Sequence, residues 1–395
     1  MPDVSPALLP GDERELAAAI ADAGAARSPL AVVGGGTRVG LGRPMQTAAT
    51  LSTARLTGIT LYEPTELVIS ARSGTPLAEV ESLLASNRQR LAFEPPDHRG
   101  LYRTSGEPTI GAVAAANLSG PRRIQAGAAR DSLIGVRAVN GRGETIKSGG
   151  RVMKNVTGYD LVKFLAGSLG TLAVLSEVTF KVLPMPETET SLVFAGLDDQ
   201  RAVAALSEAL GSPFSVTGAA HIPGDPARTA IRIEGFATSV SDRSRRLSAQ
   251  LSAYGAPEVL DEGLSAVLWS TIRDLDALDA APDVPVWRVS VKPADGPVIA
   301  DAVRAAFAAR ILYDWGGGLV WIAGGEGPDA GESAIRSAVA AVGGHAMLIR
   351  APDDVRLAVD VFQPIPAPLM DLTRKLKASF DPGGILNPGR MYPGI

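Results

Sequence analysis

The stretch AVVGGGTRVGLGRP, from Ala31 to Pro44, places three consecutive glycines directly after a short apolar run. Glycine lets the backbone adopt positive φ and approach a ligand with no side chain in between. Successive backbone N–H groups in such a loop form a concave anion site. The stretch therefore predicts a phosphate-binding turn after a strand, and a tight turn without a ligand is the alternative that this stretch alone leaves open.

Two common phosphate motifs do not match this stretch. A Walker A loop needs Lys and then Ser or Thr after its last glycine, whereas Gly40 is followed by Leu41 and Gly42. A Rossmann fingerprint needs a helix at the third glycine and an acidic residue about 20 positions later, and the segment LSTARLTGIT at 51–60 contains neither Asp nor Glu. The remaining interpretation is a pyrophosphate cradle of backbone amides with no helix behind it.

Composition restricts the class of protein further. The chain has 395 residues, and a single hydrophobic core stops growing at roughly 250 to 300 residues, so we expect more than one domain. The formal net charge of −4 and the dispersed Lys and Arg residues argue against nucleic-acid binding. The absence of cysteine excludes disulfides, thiolate metal sites and iron–sulfur ligation, and we predict no metal site.

The chain shows no targeting or membrane signal. Its first residues, MPDVSPALLPGDERE, lack a basic region followed by an apolar one, and no apolar run reaches the roughly 18 residues of a membrane span. We therefore expect a cytoplasmic protein without a transmembrane segment.

The pattern along the chain alternates helices and strands. DERELAAAIADAG predicts a helix whose start has the capping spacing of Asp12 and Glu15, and NGRG at 140–143 predicts a hairpin. PMPETET at 184–190 is polar and twice interrupted by proline, which predicts a linker. A second α/β segment runs to about residue 350, and the chain ends in the glycine- and proline-rich FDPGGILNPGRMYPGI.

Two further stretches repeat the small-residue theme of the glycine loop. They are EPTIGAVAAANLSGPRR and KNVTGYDLVKFLAGSLGTLAV, so that such stretches are spread over residues 34–174. Three of them imply one elongated ligand threaded between substructures.

The order of these motifs resembles a known family. VVGGGT, TIGAVAAANLSG, GYDLVKFLAGSLGTLAVLSEV and FDPGGILNPGRMY look like the vanillyl-alcohol-oxidase or PCMH-type FAD-binding fold. LAFEPP, ANLSGPRR, VWRVSV, YDWGGGLVWI and NPGRMY resemble the FAD-binding subunit of the bacterial glycolate oxidase complex. The resemblance implies an α+β fold with a two-subdomain PCMH-type FAD-binding domain at 1–184, a smaller α/β substrate-type cap domain at 185–350, and a C-terminal segment at 351–395 that packs back on the FAD domain.

The resemblance also implies the cofactor residues. It places the pyrophosphate on Gly34, Gly35, Gly36, Thr37 and Arg38, the flavin and ribityl chain on Thr109, Gly111, Asn117 and Gly120, the ribityl-to-adenine end near Gly167, Gly170 and Val174, and the family's Gly-Tyr-Asp segment at Gly158, Tyr159 and Asp160. Capping of a helix is the alternative role for Tyr159 and Asp160. Ala112 replaces a family glycine, which loosens the expected backbone contact there. Because the loop has no histidine and the chain no cysteine, we predict non-covalent FAD.

Oxidation of a 2-hydroxy acid needs a base for the hydroxyl proton and a cation for the carboxylate. Among the three histidines, His345 lies in a stretch shared with the resembling subunit and is the candidate base, whereas His98 is expected to be a solvated loop residue. Arg288 is the first candidate for the carboxylate and Arg390 the second.

The resemblance implies a subunit that oxidises glycolate to glyoxylate and passes electrons through flavin to an iron–sulfur partner, next to a homologous FAD-containing catalytic subunit. Any membrane association is expected to come through these partners. Trp287, Trp315 and Trp321 are candidates for the surface that binds a partner protein, with the core as the alternative place for each. The sequence lacks the histidine cluster of metal-using relatives. Two alternatives therefore stay open: a non-catalytic flavin-binding subunit for structure or electron transfer, and a stand-alone FAD-dependent 2-hydroxy-acid dehydrogenase.

Overall fold

The computed structural model describes residues 7–150 and 160–395. Its strands are β1 Ala7–Leu8, β2 Leu30–Val33, β3 Ala49–Ser52, β4 Ile59–Glu63, β5 Val68–Arg72, β6 Gln89–Arg90, β7 Leu133–Asn140, β8 Thr145–Gly149, β9 Ala173–Lys181, β10 Leu183–Pro184, β11 Thr188–Ala195, β12 Val216–Ile222, β13 Arg228–Gly235, β14 Glu258–Leu260, β15 Val286–Ser290, β16 Ala309–Asp314, β17 Leu319–Gly324 and β18 His345–Arg350.

The α-helices are spread over the whole described chain. They are α1 Glu13–Ala25, α2 Leu77–Ser86, α3 Arg99–Tyr102, α4 Ile110–Ala115, α5 Arg123–Ala126, α6 Ala129–Ser132, α7 Leu161–Leu165, α8 Asp199–Leu210, α9 Ala237–Gln250, α10 Glu262–Arg273, α11 Gly296–Ala306, α12 Glu332–Val342, α13 Asp353–Ala358 and α14 Ala367–Phe380. Across the described residues, none of these helices is long and apolar enough to cross a membrane.

The predicted start of α1 is confirmed. The Asp12 carboxylate accepts a hydrogen bond from the Glu15 backbone N at 2.7 Å, and the Glu15 carboxylate accepts one from Gly11 N at 2.7 Å. These bonds satisfy N–H groups that have no partner within the helix. Leu16 and Ile20 point to the core that α1 shares with β2 and β3.

Three sheets occur in the described part of the first half of the molecule, the smallest being the antiparallel pair of β10 and β6. β1, β3 and β2 form a parallel three-stranded sheet, and β4, β5, β9, β7 and β8 form an antiparallel five-stranded sheet in that order. The predicted hairpin is confirmed between β7 and β8, where the Asn140 side chain accepts hydrogen bonds from Arg142 N and Glu144 N. The core on this sheet includes Phe93 and Phe180.

The second half contains one antiparallel sheet of eight strands, in the order β14-β11-β13-β12-β16-β17-β15-β18. Its core surrounds the fully buried Trp287, whose indole N–H donates to Ala330 O at 2.8 Å. Trp287 is therefore a core residue and not part of an exposed partner surface.

The predicted linker at 184–190 is mostly wrong. β10 ends at Pro184 and β11 begins at Thr188, so only residues 185–187 lie between strands. The polar Thr188 and Thr190 belong to β11, because this strand pairs along its whole length with β13. Backbone pairing across the sheet outweighs the local polarity that suggested a linker.

The C-terminal segment returns to the strand that precedes the glycine loop. Leu30 N donates to Ile385 O at 2.7 Å, and Asn387 N donates to Leu30 O at 3.0 Å. The Asn387 side chain also accepts from Val32 N at 2.7 Å. Residues far apart in the chain thus position the loop that begins at Gly34.

Candidate active site

The glycine loop forms one wall of a cavity, here called the first cavity, of about 740 Å³ including its open mouth. The other walls come from α4, the start of β9 and the C-terminal segment. Of the predicted site residues, the first cavity is lined by Gly34, Gly35, Gly36, Thr37, Arg38, Gly111, Gly170, Val174 and Arg390.

Two of the three glycines are required by close packing of the loop on the segment that precedes α4. A Cβ on Gly35 would overlap the carbonyl oxygen of Glu107, and a Cβ on Gly34 would overlap the Thr109 hydroxyl. Gly36 has φ of +75°, and a Cβ there would meet no atom within 4 Å. The first two glycines therefore seat the loop, while the third turns the chain in the left-handed region beside open space.

Several buried polar atoms at this loop have no hydrogen-bond partner among the described residues. They are the Ser73 hydroxyl, the Thr109 hydroxyl and Nε of Arg38. Buried polar groups in folded proteins are nearly always paired. Their arrangement around a glycine loop fits a ligand that brings oxygen acceptors, such as a pyrophosphate-containing cofactor.

Arg390 joins the C-terminal segment to the glycine loop. Its guanidinium donates to Leu41 O at 3.2 Å and to Arg38 O at 3.3 Å, and Arg43 N donates to Arg390 O at 2.8 Å. Burial lowers the pKa of Arg390 to about 10. The side chain lies in the first cavity and holds loop carbonyls.

A second cavity, of about 1010 Å³ including its mouth, opens beside the first and shares Arg38, Leu41, Ala116 and Leu169 with it. The segment after α4 lines one side of the second cavity and strands of the eight-stranded sheet line the other. Its lining includes the predicted residues Asn117, Gly120, Gly167 and Arg288, and also His98, Tyr102, Arg123, Arg273, Asp314 and Trp321.

Strand register brings the charged and aromatic side chains of the second cavity to one place. Arg288 in β15 pairs directly with Trp321 in β17 and with Met347 in β18. Directly opposed residues in an antiparallel sheet project on the same face. The three therefore face the second cavity together, although the sequence separates them by up to 59 positions.

Arg288 lies beside one buried carboxyl group. Burial, followed by the positive charge of Arg123, lowers the pKa of Arg288 to about 10. Burial raises the pKa of Asp314 to about 7, although its carboxylate accepts a hydrogen bond from Trp315 N at 2.7 Å. At neutral pH the second cavity therefore carries more positive than negative charge.

His98 is buried, which corrects the expectation of a solvated loop residue. Its side chain is 6% exposed, and its ring meets the Trp321 ring edge-on with 6.2 Å between centroids. Nε2 has no hydrogen-bond partner in the described part of the chain. Burial, and then the charge of Arg38, lower the pKa of His98 well below the ordinary range, so the imidazole is neutral at pH 7.

The other two histidines lie elsewhere. His345 is the exposed first residue of β18, pairs with Ser290 and lines neither of these two cavities. Ser290 and Arg288 lie on one face of β15, and burial, followed by the charges of Arg288 and Arg123, lowers the pKa of His345, so its role as base stays a prediction. His221 is fully buried, with Nδ1 2.9 Å from the Thr229 hydroxyl and Nε2 3.3 Å from Asp199. It is a hydrogen-bonded core residue.

The Gly-Tyr-Asp segment is described only in part, because Gly158 and Tyr159 lie outside the described residues. Asp160 is exposed, and its carboxylate accepts a hydrogen bond from Lys163 N at 3.1 Å. Asp160 thus caps α7, which is the alternative role considered for it.

Comparisons with known proteins agree with this geometry. A family model described as an FAD binding domain matches residues 5–149. The chain is 36% identical to the glycolate oxidase subunit GlcE of Escherichia coli (strain K12), over 93% of this chain and 93% of that protein. The chain belongs to the family of glycolate oxidase subunit GlcE. It is therefore an FAD-dependent oxidoreductase, and the predicted family and cofactor are confirmed.

More distant relatives are similar over part of the chain or in fold. A D-lactate dehydrogenase from Archaeoglobus fulgidus is 30% identical over 46% of this chain and 40% of its own length. The solved structure of alkyldihydroxyacetonephosphate synthase superposes with a TM-score of 0.72 at 17% identity, covering 97% of this chain and 75% of that one. The superposition confirms the predicted PCMH-type fold class.

The first cavity fits the FAD of this family. A glycine loop that only glycine can form leads into it, and unpaired hydroxyl and guanidinium groups surround that loop. No histidine occurs among the described residues that line the first cavity. Non-covalent attachment stays a prediction.

Proposed function

We propose that this chain oxidises a small 2-hydroxy acid in the second cavity, as the FAD-binding subunit of a glycolate-oxidase-type complex. The main supporting observation is that the second cavity adjoins the first and contains the neutral imidazole of His98 near the two cations Arg38 and Arg288, with Nε2 lacking a partner among the described residues. An oxidation of this kind requires a base and a carboxylate-binding cation next to the flavin.

The residues of the first cavity would hold the cofactor. We propose the amides of Gly34–Arg38 for the pyrophosphate, with Gly111, Gly170 and Val174 along the same cavity and Asn117, Gly120 and Gly167 at its junction with the second. Thr109 would donate its free hydroxyl. FAD, when bound, supplies an acceptor for the hydride from C2 of the hydroxy acid.

Arg288 would bind the substrate carboxylate. It makes no ion pair with any carboxylate of the described residues, so its charge is available to a ligand. A planar guanidinium offers two parallel N–H groups to a carboxylate. Arg390, the second candidate, lies in the other cavity and already donates to loop carbonyls.

His98 would replace His345 as the base. A neutral imidazole whose Nε2 has no partner among the described residues would accept the hydroxyl proton of the substrate. The nearby cations disfavour protonation of His98 until the substrate carboxylate binds. The walls of the second cavity, including Trp321, would exclude bulk water from this step.

The proposed division of the molecule follows the same arrangement. Residues 1–184 would carry FAD, 185–350 would form the cap that supplies Arg288, Asp314 and Trp321, and 351–395 would return to the glycine loop. The predicted linker is short, as described above, so the two parts would move little relative to each other.

We propose that the electrons leave to other subunits. The E. coli relative is by name one subunit of a glycolate oxidase. Since this chain has no cysteine, an iron–sulfur cluster in the electron path would belong to a partner protein, beside a homologous FAD-containing subunit.

The test is anaerobic stopped-flow reduction of the FAD-loaded chain, alone and with its co-purified partners, by glycolate and by D-lactate. We expect flavin bleaching that Arg288→Met slows tenfold to a hundredfold in kcat/KM, the range of one charge-assisted contact. Arg245→Met, on the exposed face of α9, is the matched control.

Each outcome selects one interpretation. Bleaching only in the complex, slowed there by Arg288→Met, supports a dependent catalytic subunit, and full bleaching by the isolated chain supports a stand-alone dehydrogenase. No bleaching in either preparation, by these acids or by a longer 2-hydroxy acid, supports the non-catalytic flavin-binding alternative and contradicts the proposal. Equal rates for Arg288→Met and wild type would remove Arg288 from the substrate site.

A further inference from the structure

Two cations of the second cavity stack on one tryptophan. The guanidinium carbon of Arg123, the first residue of α5, lies 4.6 Å from the Trp315 ring centroid, and that of Arg288 lies 5.2 Å from it. The Trp315 indole N–H donates to Gly120 O at 3.2 Å, which anchors the ring to the cavity wall. Arg123 and Arg288 are therefore neighbours, held by an aromatic ring and not by opposite charges.

Neither cation has a carboxylate within ion-pair distance in the described parts of the chain. Arg273, which lines the same cavity, shows the contrast, because it donates to both oxygens of Asp274 at 2.8 and 2.7 Å. Asp131 is the carboxylate that most affects Arg123, yet its side chain already accepts from Ala128 N. Residues 151–159 contain no Asp or Glu that would provide another partner.

Two adjacent unpaired cations are unfavourable without an anion, and one carboxylate compensates only one of them. Asp314 is the single acidic side chain among the described residues that line the second cavity, and no arginine of the described chain lies within ion-pair distance of it. Burial keeps Asp314 partly protonated near pH 7, so it offsets this charge incompletely.

Resting on the proposed function, we infer that the substrate is a 2-hydroxy dicarboxylate, with one carboxylate on Arg288 and the second on Arg123. Arg123 thereby becomes the residue that determines substrate specificity.

The test compares acids of equal length that differ only in the distal group: malate with 2-hydroxybutyrate, and 2-hydroxyglutarate with 2-hydroxyvalerate, each as both enantiomers. Anaerobic flavin reduction gives kcat/KM on the FAD-loaded protein with its partners. We expect a tenfold to hundredfold preference for the dicarboxylate of each pair, the range of one charge-assisted contact.

Arg123→Met should bring the preference close to one, and Arg123→Lys should keep part of it, since the charge remains while the planar fork is lost. The flavin absorbance of each variant shows that it still folds and loads FAD. Calorimetric binding of 2-oxoglutarate against 2-oxovalerate provides a second measurement that needs no turnover, with the same expected order.

The outcomes separate this inference from the proposed function. Bleaching by hydroxy acids without a dicarboxylate preference, or a preference that Arg123→Met leaves intact, overturns the inference alone. No bleaching by any of these acids overturns the proposed function and the inference together.

Discussion

The two cavities lie side by side but are built in different ways. The first uses backbone and small side chains, most of them from residues 32–39 and 111–116 and from the start of β9. The second uses charged and aromatic side chains from positions as far apart as Arg38 and Phe362. A cofactor site of the first kind can be recognised from glycine spacing, whereas a site of the second kind exists only once the strands are in register.

The cavities also differ in what is left unpaired. Among the described residues, hydroxyl groups and one guanidinium nitrogen lack partners at the first cavity, whereas the guanidinium groups of Arg123 and Arg288 and Nε2 of His98 lack them at the second. A change in the first should therefore remove the cofactor, while a change in the second should alter chemistry or pH dependence with FAD still bound. Three predictions test this contrast.

The largest effect is expected from Gly35→Ala. Because the new Cβ would overlap the Glu107 carbonyl oxygen, the loop backbone must move away from its seat, and we expect essentially complete loss of FAD loading. The ratio of flavin to protein absorbance after purification measures it.

Two comparisons sharpen this prediction. Gly106→Ala meets the Gly35 carbonyl from the opposite side and should have the same effect. Gly263→Ala, exposed on α10, should load FAD normally. Normal loading of Gly35→Ala would show that the loop is not seated as described.

An intermediate effect is expected at His98. Its pKa lies well below the ordinary histidine range, so the neutral, proton-accepting form persists as the pH falls through 6.5. We expect kcat/KM for flavin reduction to stay constant there and to decline only at lower pH. His98→Gln should lower kcat/KM by about a hundredfold or more, as for loss of a general base, and should abolish that acid limb.

His345→Gln is the comparison variant, because His345 is the other candidate base and lines neither cavity. We expect it to keep both the rate and the acid limb. If His345→Gln removed the acid limb of the pH profile while His98→Gln kept it, His345 would be the base and His98 would not.

The smallest effect, on stability alone, is expected from Asp314→Asn. Burial raises the folded-state pKa to about 7 from an ordinary value near 3.9, so folding favours the protonated carboxyl. The contribution of the protonated Asp314 carboxyl to the free energy of unfolding is fully present below about pH 4 and is lost as the pH rises through 7. The variant should gain at most about 4 kcal/mol over wild type at pH 8, and little at pH 4.

Thermal unfolding of the FAD-loaded proteins at pH 5 and pH 8 measures this difference. Asp301→Asn, on the exposed face of α11, is the control. A difference between Asp314→Asn and wild type that is equal at both pH values would show that the carboxyl does not titrate in this range.

Local features were predictable because local chemistry determines them. The start of α1 at Asp12 and the hairpin at Asn140 depend on hydrogen bonds within a few residues, and both predictions are confirmed. The same argument failed for residues 184–190, where polarity suggested a linker but pairing with a strand about 40 residues later decides the structure.

By itself the sequence determined the family, the FAD cofactor and the glycine loop, since three consecutive glycines after an apolar run show that the backbone there must be bare. Only the tertiary structure decided that His98 is buried against Trp321, that Arg123 and Arg288 share Trp315, and that His345 lines neither cavity. The physical reason is that burial and charge pairing depend on contacts between residues far apart in the chain, such as His98 with Trp321 and Arg123 with Trp315. The packing of the strands sets those contacts.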